Sequence, residues 1–227
     1  MTGLRAQLQR IFERVGHENV WRPIYDKENE LVARGGGKFY DIIPETLQSV
    51  DFEGKTVVDL GCNFGYYTFL AARLGAKRVV GIDINGEIIR GCEILRAHYG
   101  LSNVEFRAAD FTKSDLGEIF DVGMMIDFIG KSAVRKCKLQ ACLAGLERLS
   151  RSEMFLTLRP EYHIERDLDM DLDEFGTRYP SKFIRNRRFH LLNFVQATFG
   201  GKWVMQVECH EKCLKYNLKS PVHFIRK

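Results

Sequence analysis

Apolar runs separated by amphipathic segments occupy the middle of this chain. The runs lie at residues 56–60, 78–83, 104–109, 120–126 and 153–158, and the fourth is apolar enough to be buried on both faces of a sheet. Between them, apolar side chains recur at the spacing of helices. Because strands and helices alternate with short connections, the pattern predicts an α/β fold with a parallel sheet and right-handed crossovers.

The connecting helices are predicted from apolar spacing and from the glycines that end them. A helix over 66–74 ends at Gly75, and a helix over 86–98 ends at Gly100. A third helix is predicted over 132–149, where leucines recur on or near one face. Helices are also predicted at 3–16, 41–47 and 188–199.

The end of the chain departs from this alternation. Strands are predicted at 203–208 and 222–225 with a hydrophilic stretch and no helix between them, so the two must pair antiparallel. The predicted fold class is therefore α/β, with a doubly wound, mostly parallel seven-stranded sheet closed by an antiparallel C-terminal hairpin. Residues 1–50 are expected to form a helical lead-in packed on the core, and residues 51–227 one domain with an acidic insertion at about 161–182.

Composition places the chain among ordinary globular proteins. Hydrophobic residues make up 45% and charged residues 28% of the 227 positions. No apolar run approaches the roughly 18 residues that span a bilayer, and the N-terminus lacks the apolar core of a signal peptide. We therefore predict a cytoplasmic protein without a membrane partner. The net charge of +4 permits an RNA partner but does not by itself indicate one.

Two groups of potential metal ligands do not have the residue spacing of known metal sites. Cys209, His210 and Cys213 could be combined with two cysteines of the 132–149 helix, but the spacings are looser than those of zinc sites. Alternating aspartates at 167–173 are similar to a calcium loop that lacks its glycine and its distal glutamate. We predict no metal, and reduced cysteines that serve as small buried hydrophobes.

The segment from Val57 to Asp83 contains a buried strand, a glycine-turned loop, a helix, a second strand and a terminal acid. That order is half of a nucleotide-binding sheet, in which ligand groups lie at the carboxyl ends of the strands. A dinucleotide fingerprint would place glycines where Asn63 and Tyr66 stand. A nicotinamide dehydrogenase is therefore the weakest interpretation.

This segment, VVDLGCNFGYYTFLAARLGAKRVVGID, resembles the cofactor-binding core of the class I S-adenosylmethionine (SAM) methyltransferases. The resemblance covers roughly Phe52 to Leu158 and, more weakly, the C-terminal strands. The loop of that family commonly reads D/E-x-G-x-G-x-G, and here Asn63 replaces the central glycine. The resemblance implies a SAM-dependent methyltransferase, with S-adenosylmethionine as its cofactor.

The resemblance also implies roles for single residues. Asp83 would accept hydrogen bonds from both ribose hydroxyls, and Asp110 would accept one from the adenine amino group. Asp127 would face the amino group of the cofactor or the incoming substrate. The other cofactor-binding residues would be Asp59, Gly61, Asn63 and Gly65 around the methionine moiety, with Ile84 against the adenine and Phe111 beside Asp110.

Each of these acids also has a purely structural interpretation. Asp59 could cap a turn, although a buried acid needs a partner and so favours a functional role. Asp83 could cap the helix that begins near residue 86, and Asp110 could simply start a turn. The sequence alone leaves these alternatives open.

Methyl transfer from a sulfonium requires alignment, exclusion of water and, for a neutral nucleophile, a base. Asp127 and His163 are the candidate catalytic residues, since the first follows the fourth strand and the second lies just after the fifth. The acidic insertion is expected to be solvated and to cover the active site. The four cations and two aromatics of residues 182–189 could bind phosphates and stack bases, or could begin a helix with both phenylalanines in the core.

The core further resembles the methyltransferase domain of the enzymes that complete wobble-uridine modification in bacterial tRNA, through Phe39–Pro44 and the glycine-loop segment. Some of those enzymes use a carboxylated SAM, for which Arg34, Lys38 or Arg159 could supply a cation. We predict methyl transfer to an oxygen or nitrogen of an unidentified acceptor, either a small molecule or tRNA. The alternatives are a tRNA-modifying methyltransferase or carboxymethyltransferase, and a non-catalytic SAM-binding subunit of a complex. A homodimer is the predicted assembly.

Overall fold

A seven-stranded sheet forms the centre of the molecule. The computed structural model describes residues 3–37, 42–114, 116–207 and 211–227. Each strand of the sheet lies where an apolar run predicts one, with ends that differ by three residues or fewer. In chain order the strands are β1 (Thr56–Leu60), β2 (Arg78–Asp83), β3 (Val104–Ala108), β4 (Phe120–Met125), β5 (Ser150–Leu158), β6 (Trp203–Val207) and β7 (Ser220–Arg226).

The strand order across the sheet is β3-β2-β1-β4-β5-β7-β6. Strand β7 pairs antiparallel with both of its neighbours, and the pairs from β3 to β5 are all parallel. The predicted α/β class, with a mostly parallel sheet closed by an antiparallel C-terminal hairpin, is confirmed. The order changes direction between β1 and β4, and open α/β sheets bind their ligands in the crevice at such a point, beyond the carboxyl ends of the strands.

Two hydrophobic cores lie on opposite faces of the sheet, because successive side chains of a strand point to opposite sides. In β1, Val58 enters one core and Val57 the other. Helix Leu139–Leu149 contributes to the first core, and helices Tyr66–Arg73 and Gly86–Tyr99 contribute to the second. The remaining helices are Gly3–Val15, Ile42–Gln48, Lys131–Arg135, Ile164–Leu168, Leu172–Arg178, Leu191–Phe199 and Glu211–Tyr216.

Three helix predictions are wrong in detail. The helix expected over 132–149 is divided in two, since Cys137 at the break takes a left-handed conformation with φ of 54°. The helix expected from residue 188 begins at Leu191, because Arg188–Phe189 is a short strand. The stretch before β7, predicted to hold no helix, contains Glu211–Tyr216.

The N-terminal lead-in packs on the sheet domain through its first helix, Gly3–Val15, which lies against helix Gly86–Tyr99. The buried residues of the first helix recur at helical spacing, as its amphipathic pattern predicts. They are Leu4, Leu8, Ile11 and Phe12. After this helix, Ile24–Tyr25 and Leu31–Ala33 form a two-stranded antiparallel ribbon. The chain between the helix and the ribbon lies at the edge of the sheet where β1 and β4 end.

The acidic insertion contains secondary structure that the sequence analysis did not predict. Its two helices, Ile164–Leu168 and Leu172–Arg178, precede a hairpin whose turn residues Asn186 and Arg187 both have positive φ. That hairpin and the short strand Tyr162–His163 form a three-stranded antiparallel sheet. Phe175 and Tyr179 of the insertion form an aromatic cluster with Phe189 and Phe194 of the segment that follows it.

Several predicted features lie outside the described residues, namely Lys38, Phe39, Tyr40, Asp41, Glu208, Cys209 and His210. Within the described ranges, no group of three or more histidine, cysteine or acidic side chains is placed to hold a metal ion. Over those same ranges, no helix combines the length and the apolar character needed to cross a bilayer.

Candidate active site

Three residues of the loop between β1 and the following helix, Gly61, Asn63 and Gly65, have positive φ. Gly61 and Gly65 have φ of 76° and 78°, values that a side chain with a Cβ adopts only at a cost. A Cβ on Gly61 would also collide with the ring of Phe128. The amides of Gly61 and Cys62 both donate to the carbonyl of Ile82 in β2, at 2.8 and 2.9 Å. The loop is therefore fixed against the end of the neighbouring strand.

Asn63 explains how this loop tolerates the loss of its central glycine. Its φ is 49°, in the left-handed region that asparagine enters more readily than most residues. Its side-chain amide donates to the carbonyl of Asn19 at 2.8 Å, and its side-chain oxygen accepts from the amide of Trp21 at 3.2 Å. The residue that replaces glycine thus joins the loop to the N-terminal lead-in.

A cavity of about 520 Å³ lies at the carboxyl ends of β1, β2 and β4. The lead-in forms one of its walls, and the glycine loop forms another. Its lining includes Trp21, Arg22, Asp59, Asn63, Asp83 and Asp127. Four predicted cofactor-binding residues, Asp59, Gly61, Asn63 and Asp83, are therefore brought together in one cavity, with the candidate catalytic residue Asp127.

Asp83 ends β2 with its carboxylate held by the backbone on both sides. Oδ2 accepts from the amide of Asn63 at 3.1 Å, and Oδ1 accepts from the amide of Asn85 at 3.0 Å. Burial raises the pKa of this carboxyl, and those backbone hydrogen bonds oppose the shift. The cap of helix Gly86–Tyr99 is Asn85, whose side chain accepts from the amides of Glu87 and Ile88. The capping role considered for Asp83 is therefore wrong.

Asp59 is buried beneath the cavity, and its Oδ2 accepts a hydrogen bond of 2.6 Å from the hydroxyl of Thr68. Burial raises the pKa of Asp59 to about 7, against the opposing effect of the Thr68 hydrogen bond. A carboxyl with that pKa exchanges its proton near neutral pH. The side chain joins β1 to the helix that follows the glycine loop.

The predicted adenine-binding residues occupy three different environments. The side chain of Ile84 is 72% exposed beside Asp83, an unusual exposure for an isoleucine. Asp110 accepts hydrogen bonds from the amide and hydroxyl of Thr112, which lower its pKa, and it is not among the residues that line the cavity. Phe111 is buried in the core, with its ring centroid 5.3 Å from that of Phe128. Asp110 therefore makes the contacts of a turn, and the adenine-binding roles of Asp110 and Phe111 stay predictions.

Asp127 follows β4 in a left-handed conformation with φ of 58°, and its amide donates to the hydroxyl of Thr157 at 2.8 Å. Non-glycine residues in this conformation are concentrated at functional sites. Its Oδ2 forms an ion pair with Arg22 and lies 3.4 Å from the hydroxyl of Tyr67. Its Oδ1 lies 2.9 Å from Nζ of Lys219.

Lys219 and Arg22 are site residues that sequence reasoning missed. They lie 92 and 105 positions from Asp127 along the chain, and neither belongs to a recognisable motif. Burial and then the charges of Arg22 and Arg159 lower the pKa of Lys219 to about 8. The pKa of Lys219 is lowered although its Nζ lies 2.9 Å from Oδ1 of Asp127.

His163 stands apart from the cavity. Its ring nitrogen Nδ1 accepts a hydrogen bond of 3.4 Å from the amide of Arg166 and so caps helix Ile164–Leu168. Residues 161–182 contribute none of the described side chains that line the cavity. The catalytic role predicted for His163 and the covering role predicted for the insertion stay predictions.

Comparison with known proteins gives one family match over most of the sheet domain. The family described as "Methyltransferase domain" matches residues 51–190, more than half of the chain. The chain is also similar to the crystal structure of the magnesium protoporphyrin IX methyltransferase of Synechocystis PCC 6803 with bound SAH. The two share 16% identity with a TM-score of 0.54, and the similarity covers 99% of this chain and 100% of that one. A ribosomal protein L11 methylase from Lactobacillus delbrueckii subsp. bulgaricus gives 15% identity, a TM-score of 0.57, and coverage of 91% and 89%. At such identities these structures show a shared fold.

Sequence similarity to curated proteins is confined to a short segment. The Ribosomal protein L11 methyltransferase of Vibrio campbellii is 39% identical over 59 residues, which are 26% of this chain and 20% of that protein. The matched segment therefore spans about one fifth of the length of that relative. It supports the family match but does not extend to a substrate.

Proposed function

This chain belongs to the methyltransferase domain family, and we propose that it transfers the methyl group of SAM to an oxygen or nitrogen of its acceptor. The predicted class, a SAM-dependent methyltransferase with S-adenosylmethionine as cofactor, is confirmed. The acceptor and the roles of single residues are the parts that we propose. The observation that carries the proposal is the meeting of Asp83, the glycine loop and Asp127 in one cavity.

The residues of the cavity fit the cofactor. Each oxygen of Asp83 receives one backbone hydrogen bond, which leaves lone pairs for two ribose hydroxyls. At Gly61 the ring of Phe128, which also lines the cavity, packs directly against the backbone, so a side chain there would displace part of the cavity wall. The exposed side chain of Ile84 offers an apolar surface beside Asp83, suited to a planar base. We propose that Asp83 and Ile84 hold the nucleoside part of SAM and that the glycine loop lies against its methionine part.

The bound cofactor supplies an activated methyl group, and the protein must align the acceptor and receive its proton. We propose that Asp127 faces the acceptor, because it lines the cavity after β4, and β1 separates β4 from the end of β2 at Asp83. Its contacts with Arg22 and Lys219 fix the carboxylate in one orientation. The proton released by the acceptor would then pass to the carboxylate of Asp127, because the ammonium group of Lys219 has no lone pair to accept it.

The contacts of the basic segment weaken the support for tRNA as the acceptor. Arg187 forms an ion pair of 2.9 Å with Glu165, and Arg188 forms one with Glu161. The ring of Phe189 is buried, so it is not presented for base stacking. A small-molecule acceptor is therefore the proposal that we favour over tRNA.

Transfer of methyl-labelled SAM to a cell extract tests the proposal. We expect label in a small-molecule fraction that survives ribonuclease and protease treatment. Label in a ribonuclease-sensitive tRNA fraction would overturn the small-molecule acceptor and restore the tRNA alternative. Tight SAH binding with no label in any fraction would instead support the non-catalytic subunit.

A further inference from the structure

Aromatic side chains are concentrated in the lining of the cavity. Eight of the 23 described residues that line it are phenylalanine, tyrosine or tryptophan, whereas these residues make up 11% of the whole chain. Five of the eight belong to the second hydrophobic core or pack against it. The other three, Trp21, Tyr25 and Phe128, are each at least 38% exposed. Large apolar side chains that stay exposed inside a concave site are typical of a pocket for an apolar ligand.

Two of the exposed rings, Trp21 and Phe128, are neighbours in sequence of the ion pair between Arg22 and Asp127. Arg22 follows Trp21 in the lead-in, and Asp127 precedes Phe128 after β4. The ion pair therefore joins the two walls of the cavity that carry these rings, and both rings line it. We call Trp21 and Phe128 the aromatic pair. Its members lie next to the residue that we propose to face the acceptor.

Glycine backbones hold both rings of the aromatic pair in place. A Cβ on Gly37 would collide with the backbone and the ring of Trp21, and a Cβ on Gly61 would collide with the ring of Phe128. Each ring therefore packs directly on a glycine. Phe128 is also held by Phe111, with ring centroids 5.3 Å apart. Rings fixed in this way can bind a ligand with little further loss of side-chain entropy.

We propose that the small-molecule acceptor carries an aromatic ring, and that the aromatic pair binds this ring beside Asp127. The inference rests on the proposed function, because it takes Asp127 to face the acceptor while Asp83 and Ile84 hold the nucleoside of SAM. Covering the exposed rings removes apolar surface from water, which favours binding of any apolar group. An aromatic group gains more than a saturated one, since stacked and edge-to-face ring contacts add to the effect of burial.

Calorimetric titration of the SAH-saturated full chain with benzyl alcohol and with cyclohexylmethanol tests this inference. The two probes have the same hydroxyl group on the same carbon skeleton, and they differ in whether the ring is aromatic or saturated. The saturated ring has the larger apolar surface, so burial alone would favour cyclohexylmethanol. We expect benzyl alcohol to bind about tenfold more tightly than cyclohexylmethanol.

Variants of Trp21 assign the preference to the aromatic pair. Trp21→Leu should reduce the ratio of the two affinities by about threefold, and Trp21→Phe, which keeps an aromatic ring, should retain most of it. Tyr216→Leu removes an aromatic ring that is 63% exposed and does not line the cavity, so it should leave the ratio unchanged. SAH affinity should be the same in all three variants, and this shows that they are folded.

The inference and the proposed function can fail separately. Equal or tighter binding of cyclohexylmethanol, no binding of benzyl alcohol, or a ratio that Trp21→Leu leaves unchanged would overturn the aromatic acceptor alone. Loss of SAH binding in a Trp21→Leu variant that still unfolds cooperatively in urea would show that the ring holds the cofactor, and would overturn it too. Failure of the unmodified protein to bind SAH would overturn the proposed function and, with it, the inference.

Discussion

The side-chain amide of Asn63 donates a hydrogen bond of 2.8 Å to the carbonyl of Asn19. One residue lies in the glycine loop and the other in the lead-in, 44 positions earlier in the chain. Through this contact, and the one with the amide of Trp21, the loop positions a wall of the cavity. The family loop commonly has glycine at this position, and glycine has no side chain that could make either bond.

Replacement of Asn63 by glycine should keep the loop conformation and remove both bonds to the lead-in. Glycine adopts a left-handed φ readily, so a fall in the free energy of unfolding measures the contribution of the Asn63 side chain. We expect the free energy of unfolding in urea to fall by about 1 kcal/mol more than in Asn186→Gly. Asn186 also has positive φ, but the structure records no side-chain hydrogen bond for it within the described ranges. Equal losses in the two variants would contradict this account of Asn63.

Replacement of Gly61 by alanine should abolish SAH binding, because the added methyl group strains the backbone and collides with Phe128. The double variant Gly61→Ala/Phe128→Ala removes the collision and leaves the backbone strain. We therefore expect it to regain part of the SAH affinity, measured by calorimetry. If the double variant binds SAH no more tightly than Gly61→Ala, the collision with Phe128 is not the cause of the lost affinity.

The raised pKa of Asp59 predicts that the stability of the folded protein depends on pH. Its pKa rises from an ordinary 3.8 to about 7 in the folded protein, so the folded state holds this proton more tightly than the unfolded state. Between about pH 4 and pH 7, Asp59 therefore makes the protein less stable as pH rises. The full effect, about 4 kcal/mol at about 1.4 kcal/mol per pKa unit, is present above pH 7.

The Asp59→Asn variant isolates this effect, since asparagine does not titrate and can still accept the hydrogen bond from Thr68. We expect the two proteins to have similar urea midpoints near pH 4, and the variant to be the more stable near pH 8. A difference between the two that does not change with pH would show that Asp59 ionises normally in the folded state.

Loss of the Phe175 ring should destabilise the insertion without changing the cofactor site. Phe175 is fully buried and stacks on Tyr179 with centroids 4.7 Å apart. Phe175→Ala should cost about 3–5 kcal/mol in unfolding free energy, and Phe175→Leu clearly less. SAH affinity should stay the same, because no described residue of the insertion lines the cavity. A large loss of SAH affinity in folded Phe175→Ala would instead support an insertion that covers the site.

The sheet and the glycine loop could be predicted from sequence because their signals are local. Strands β1 and β2 begin and end at the predicted residues, since each is a short apolar run bounded by turn residues. The small sheet of the insertion could not be predicted, because strands of two residues carry no periodicity. The helix Glu211–Tyr216 was not predicted, because its sequence is hydrophilic and was interpreted as a connection between strands.

Most of the site residues that could be predicted from sequence belong to one segment, the segment from β1 to the end of β2. Asp59, Gly61, Asn63 and Asp83 follow from the strand–loop–strand pattern, and Asp127 follows from its place after β4. Arg22 and Lys219 meet Asp127 only when the lead-in and β7 are folded, and single cations in polar segments give no signal of this. The charged surroundings of Asp127 therefore depend on tertiary contacts.

The most direct test of the cofactor site is the affinity for SAH of the unmodified protein and of Asp83→Ala, measured by calorimetry, with Asp51→Ala as an exposed acidic control. Two charge-assisted hydrogen bonds of about 1.5 kcal/mol each give an expected loss of about hundredfold in Asp83→Ala. Asp51→Ala should bind SAH as the unmodified protein does. Unchanged SAH affinity in folded Asp83→Ala would contradict the placement of the cofactor ribose at the end of β2.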